Sequence, residues 1–132
     1  MAAATRAIAL DPYLSEAHTS MAFIKLTYDW EWSSAEAEFQ RGIDLNPNAA
    51  NSHHWYAHYL MAAGRVREAE QESRRTLELD PLSLIMSVHL GWHFIYARQY
   101  DEALEQFRKG SRPQLWPGIL VQRAGLRTKG NV

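Results

Sequence analysis

The chain has 132 residues, of which 46% are hydrophobic and 22% are charged, with a formal net charge of −1. This composition is typical of one folded domain and excludes a disordered chain, and the near-neutral charge provides no general attraction to nucleic acid or anionic membranes. Because there is no cysteine, a disulfide framework, a thiol nucleophile and a cysteine-based zinc site are also excluded.

The apolar runs are too short to span a membrane, and the first ten residues lack the charged start and apolar core of a signal peptide. We therefore expect a cytoplasmic protein with no membrane partner. The charge is uneven, because no acidic residue follows Glu105 whereas six basic residues do, at positions 108, 109, 112, 123, 127 and 129. This basic end favours an exposed capping helix or chain end, and nucleic-acid contact is the weaker interpretation.

The first predicted element is the end of a helix, "TRAIALDP", which stops at Pro12. The same ending returns as "RGIDLNP" before Pro47 and as "RTLELDP" before Pro81, so the three prolines lie 35 and 34 residues apart. Proline ends the helix before it and is tolerated in the first turn of the next one. The chain is therefore built from an internal repeat of about 34 residues.

Each period between prolines contains two predicted helices. After each proline, apolar residues recur at the three-to-four spacing of an amphipathic helix, as Ala17 and Met21 and later Tyr56 and Leu60 illustrate. A turn follows, marked in the second period by Gly64, which suits a helix C-cap, and a second helix then runs to the next proline. The first period has one extra residue, which we place in the turn "TYDWEWS" between its helices.

This pattern resembles the tetratricopeptide (TPR) repeat, W-x2-L-G-x2-Y, then A-x3-F, then P. The matching residues are Met21-Ala22, Ala35, Phe39, Gly42 and Pro47, then Tyr56-Ala57, Leu60, Ala69 and Pro81, then Leu90-Gly91, Phe94, Ala103 and Phe107. The resemblance implies an all-α fold of TPR-type helix-turn-helix repeats stacked as a right-handed α-solenoid, with about three repeats plus terminal half-repeats.

The implied boundaries form a single TPR domain over residues 1–132. It comprises a half-repeat at 1–14, repeats at 15–49, 50–83 and 84–116, and a possible capping helix at 117–130. A frayed tail is the alternative for this last segment, because terminal repeats are commonly atypical.

In TPR proteins the first helices line a concave groove that binds a partner protein. The resemblance therefore implies a non-catalytic protein-protein interaction module that binds a peptide or helix in this groove and needs no cofactor. The partner-binding residues implied by the groove positions are Thr19, Phe23, Asn51, His54, His58, Val88 and Trp92. Only Asn51 is similar to the lysine, asparagine and arginine set of TPR domains that clamp chaperone C-termini. A more apolar peptide is therefore expected, with aromatic anchors.

The histidines need a separate interpretation. His54 and His58 lie one helical turn apart, and so do His89 and His93, a spacing that suits metal ligands. However, stable zinc sites need about four ligands, residues 54–58 lack the glutamate of an H-E-x-x-H motif, and the second pair falls about one residue's rotation off the groove line. We predict groove-lining histidines and no metal site. Passive polar packing is the alternative, and a metal or small-ligand site in the groove is a third, less favoured interpretation.

No catalytic residues are predicted, because the sequence has no glycine-rich phosphate loop, no G-x-S-x-G elbow and no distinctive pair of carboxylates. A second hypothesis is an assembly role, in which exposed solenoid ends stack to form a homo-oligomer. The stretches "YDWEW", "HHWYAHYL" and "DPLS" are similar to TPR arrays of bacterial signalling and transcriptional regulators. This similarity implies a larger bacterial regulatory protein whose output lies in a separate domain.

Overall fold

A computed structural model describes residues 2–111, and within this range the chain forms seven α-helices and no strand. They are α1 (Ala2–Leu10), α2 (Ser15–Ile24), α3 (Trp32–Leu45), α4 (Ala50–Ala62), α5 (Val66–Leu79), α6 (Leu84–Tyr96) and α7 (Tyr100–Ser111). A π-helical turn, Lys25–Asp29, follows α2. The capping helix predicted at 117–130 lies outside the described residues. Over the part that is described, no helix is long and apolar enough to cross a membrane.

The helices pack as consecutive pairs. Helix α2 packs against α3, α4 against α5, and α6 against α7, while contacts of α3 with α4 and of α5 with α6 join each pair to the next. Helix α1 packs on α2. One pair cannot bury both of its faces, so stacking the pairs is what produces a continuous core.

Small residues at the crossing of each pair allow the helices to approach closely. In the first two pairs the crossing residues with no exposed surface are Ala22, Ala35, Ala57 and Ala69. In the third pair, a Cβ added to Gly91 would lie 2.4 Å from the Phe107 ring, so only glycine fits without a shift. Large side chains fill the remaining interior, among them Phe39, Tyr56, Tyr59, Leu60, Leu90 and Phe94.

The extra residue of the first pair is absorbed by the π-helical turn. Ala22 precedes Trp30 by eight residues, whereas Ala57 precedes Gly64 by seven. A π-helical turn has i to i+5 hydrogen bonds and therefore accommodates an additional residue. The surplus lies in Lys25–Asp29, slightly before the turn in which the sequence pattern placed it. Ala35 of α3 is nevertheless fully buried, as Ala69 of α5 is.

Candidate functional site on the first helices

The first helix of each pair contributes rings to one continuous row. Phe23 of α2 contacts Trp55 of α4, with ring centroids 4.8 Å apart, and Trp55 lies 5.6 Å from His58. His58 lies 4.7 Å from His89 of α6, and His89 lies 5.3 Å from Trp92. We call the following six residues the aromatic row: Phe23, His54, Trp55, His58, His89 and Trp92.

Three of the predicted groove residues are apolar and open to solvent. Phe23 and Val88 are each 37% exposed, and Trp92 is 49% exposed. Trp92 also lines an open cleft on α6 together with Ile95 and Tyr96. Exposed aromatic and aliphatic side chains beside a cleft are a common basis of partner recognition.

A second cleft lies between α2 and α4, and its lining residues are Thr19, Ser20, Phe23, Ile24, Asn51 and Trp55. Asn51 is exposed, whereas Thr19 is buried. The Thr19 hydroxyl lies 2.7 Å from Ser52 Oγ and donates to the Ser15 carbonyl at 3.2 Å. Thr19 therefore holds α2 against α4 and contributes only the floor of this cleft.

The two predicted groove histidines lie at the centre of the row and are withdrawn from solvent. His54 is buried and His58 is half-buried. His54 Nε2 lies 3.1 Å from His89 Nδ1, and His58 Nε2 lies 3.0 Å from the same atom. The rings of His54 and His89 stack with their centroids 4.9 Å apart. We call His54, His58 and His89 the histidine cluster.

His89 joins this cluster although its repeat position predicts that it lies off the groove line. The prediction used the position of each Cα on its helix, whereas a ring nitrogen lies several bonds away and reaches across to the neighbouring helix. One sequence signal was available, because the pair His89 and His93 follows the pair His54 and His58 at a constant distance of 35 residues. Trp55 was also missed, since it falls outside the four groove places of its repeat.

The histidines between α4 and α6 are uncharged at neutral pH. Burial, together with the charge that neighbouring imidazoles would carry, lowers the pKa of His54, His58 and His93 to about 4. Burial also lowers the pKa of His89. His93 lies behind the row, with its Nδ1 2.7 Å from Ser73 Oγ and its ring 5.1 Å from that of His58. At pH 7 each of these rings therefore has a nitrogen lone pair available.

His53, the neighbour of the cluster in sequence, has a different environment. Its Nδ1 lies 2.5 Å from the Glu72 carboxylate of α5, and its Nε2 lies 2.9 Å from the Pro47 carbonyl. The hydrogen bond to Glu72 raises the pKa of His53 against the effect of burial. The first pair has the same arrangement, in which His18 Nδ1 lies 2.7 Å from Glu38. His53 therefore belongs to the packing between helices, on the core side that its repeat position predicts.

A scan against protein-family models and a search of curated proteins gave no match. Solved structures, in contrast, are similar over most of the chain. A crystal structure of MamA covers 86% of it with a TM-score of 0.74 and 20% identity. A structure of pilF from Pseudomonas aeruginosa covers 84% with a TM-score of 0.75 and 23% identity. A MamA structure from Desulfovibrio magneticus RS-1 covers 87% with a TM-score of 0.73 and 15% identity.

MamA and pilF are TPR-repeat proteins. The chain spans 61%, 50% and 64% of the lengths of these three structures, respectively. At such low identity the similarity concerns the fold alone. The predicted fold class is confirmed, since the described part of the chain is an all-α, TPR-type α-solenoid.

Proposed function

We propose that this chain is a non-catalytic protein-binding module that binds an extended segment or a helix of a partner protein along the aromatic row. The observation that carries the proposal is the continuity of the row, whose rings connect three successive first helices from Phe23 to Trp92. A partner segment that crosses α2, α4 and α6 would meet aromatic surface on each helix. Rigid aromatic side chains are the commonest anchors of such interfaces.

The chemistry of this surface favours an apolar partner segment. Phe23, Val88 and Trp92 expose large apolar groups, and none of the seven predicted groove residues is a lysine or arginine. A peptide recognised mainly through carboxylates would lack cationic partners at these positions. The cleft between α2 and α4 and the cleft beside Trp92 are suited to separate anchoring side chains of one peptide.

The proposal includes a regulatory context. The stretches "YDWEW" and "HHWYAHYL" are similar to those of TPR arrays in bacterial signalling and transcriptional regulators, and such arrays work beside an output domain. Binding of the partner segment would then be the input of the larger protein.

Peptide binding tests the proposal. Peptides selected on the wild-type chain from a random display library, and segments of natural partners recovered by pull-down, provide defined ligands. We expect Trp92→Ala to weaken their binding about 30-fold, because an anchoring aromatic residue typically contributes about 2 kcal/mol. Fluorescence anisotropy of labelled peptides measures the affinity, with chelator present throughout.

Tyr100→Ala is the matched control, since Tyr100 is a 59% exposed aromatic residue on the second helix α7. This variant should bind the peptides as the wild type does. The proposal is wrong if Trp92→Ala also keeps wild-type affinity. Light scattering of the free chain tests the assembly hypothesis. A stable oligomer, together with a failure to find any peptide ligand, would favour that hypothesis.

A further inference from the structure

Three imidazole nitrogens converge between α4 and α6. The i, i+4 spacing of His54 and His58 places both rings on the same side of α4, and α6 supplies His89 opposite them. Both Nε2 atoms of the α4 pair approach a single atom, His89 Nδ1, at 3.1 and 3.0 Å. One ring nitrogen from each residue lies within 4.8 Å of the other two.

Hydrogen bonds among the three rings cannot pair all three of these nitrogens at once. A neutral imidazole nitrogen carries either one hydrogen or one lone pair, so His89 Nδ1 makes a good hydrogen bond with only one of its two neighbours at a time. Close by, His93 Nε2 is buried and has no hydrogen-bond partner in the described part of the chain. Buried polar atoms normally have partners, so an unpartnered His93 Nε2 beside three nitrogens that cannot all be paired at once requires an explanation.

We propose that the histidine cluster binds one divalent first-row transition-metal ion through His54 Nε2, His58 Nε2 and His89 Nδ1. Zinc–nitrogen bonds are about 2.0–2.1 Å long, which places two nitrogens of a tetrahedral site about 3.3 Å apart. The observed separations of 3.0 and 3.1 Å lie within a few tenths of an ångström of this value. The three ligand atoms lie within 4.8 Å of one another, so binding would require the side chains to rotate until the third separation also reaches the tetrahedral value.

The donor set selects the class of ion. Imidazole nitrogen suits zinc, copper, nickel and iron, whereas magnesium and calcium require oxygen ligands. The group contains three histidines and no carboxylate. Three protein ligands leave one position of a tetrahedral ion for water.

Aromatic rings surround the cluster on both sides. Trp55 lies 5.3 Å from His54, and Trp92 lies 5.3 Å from His89. An apolar shell of this kind limits the access of water to the site. The sequence pattern predicted no metal site because it brought only two histidines together, and His89 is the ligand that it placed elsewhere. The inference is independent of the proposed function, since it requires no partner protein.

Zinc titration of the tag-free, chelator-treated chain at pH 7 tests the inference. Isothermal calorimetry measures affinity, and native mass spectrometry measures stoichiometry. We expect one Zn²⁺ per chain and a loss of affinity of more than about 100-fold in His89→Gln, because even loss of an outer-shell partner typically costs 10- to 100-fold. His54→Gln should have the same effect, so the test stands even if one variant fails to fold.

His18→Gln is the control, because it removes a histidine that bonds to Glu38 outside the cluster. This variant should bind zinc with wild-type affinity, and circular dichroism establishes that each variant is helical before titration. The inference is overturned if the wild type does not bind one zinc ion per chain. It is equally overturned if folded His89→Gln and His54→Gln both retain wild-type affinity.

Discussion

At the scale of single residues, Glu36 shows how one carboxylate joins three helices. It lies on α3, accepts hydrogen bonds from the Tyr56 and Tyr59 hydroxyls of α4 at 3.0 and 3.2 Å, and pairs with Arg65 at the start of α5. Burial acts to raise the pKa of Glu36, but the hydrogen bonds from Arg65 and the two tyrosines outweigh it, and the pKa is lowered. The charged carboxylate is therefore the form that the fold stabilises.

We expect Glu36→Gln to lower the free energy of unfolding by about 1–3 kcal/mol at pH 7, because a hydrogen-bonded charge is lost. Since the pKa in the folded chain lies below the ordinary 4.5, the contribution is complete above pH 4.5 and is lost as the pH falls through the folded pKa. The difference between variant and wild type should therefore narrow below pH 4.5. Urea unfolding at steps between pH 7 and pH 3 measures this difference.

Glu70→Gln is a suitable control, because Glu70 pairs with Arg74 one turn along the same helix. Such surface pairs contribute about 0.5 kcal/mol or less. A Glu36→Gln effect no larger than that of Glu70→Gln, or a difference that stays constant with pH, would contradict the role given to Glu36.

The residues of the site were predictable only in part. Repeat numbering selects Phe23 and Trp92, and the structure finds both exposed on the first helices. It does not select Trp55 or His89, because a repeat position specifies where a Cα lies and not how a ring rotates about its side-chain bonds. Repeat numbering also selects Thr19 as a groove residue, but its short side chain hydrogen-bonds to Ser52 and is buried.

At the scale of helices, α4 and α6 end in the same way. The residue after each C-cap has a left-handed backbone, with φ of 77° at Gly64 and 61° at Arg98. In both turns this residue donates to the carbonyl three positions earlier, and the next N–H donates to the carbonyl five positions earlier. This is the Schellman arrangement, in which glycine is strongly preferred because a side chain is strained at positive φ.

We therefore expect Arg98→Gly to raise the free energy of unfolding by about 1 kcal/mol, which corresponds to a gain of about 3–5 °C in Tm. Thermal unfolding followed by circular dichroism measures the change. The reciprocal variant Gly64→Arg should lose stability by a similar amount. A fall in Tm for Arg98→Gly, or no change for Gly64→Arg, would show that the left-handed turn is not what limits stability there.

The helices themselves were more predictable than the site. Prolines at 12, 47 and 81 and the three-to-four spacing of apolar residues act locally, and the helices that they predict end just before those prolines. The position of the extra residue in the first repeat was less well predicted. The repeat spacing provides only a residue count, and a π-helical turn and a longer loop accommodate the same number of residues. Packing of α2 against α3 selects between them.

At the scale of the whole molecule, stacking of the helix pairs aligns side chains that occupy related positions in successive repeats. Successive first helices lie side by side, so rings at related positions of α2, α4 and α6 meet to form the aromatic row. The stacking follows from the 34-residue period, because each helix pair leaves a face that only another pair can cover. The contacts within the row depend on ring orientation, which the period does not encode.

A partner on the aromatic row would perturb the first helices and leave the second helices largely unchanged. The most direct test is to titrate an isotope-labelled chain with a selected peptide and to follow its amide and indole NMR signals. The largest shifts are predicted in α2, α4 and α6, and include the indole N–H groups of Trp55 and Trp92. Shifts confined to α3, α5 and α7 would place the partner elsewhere and contradict the proposed binding surface.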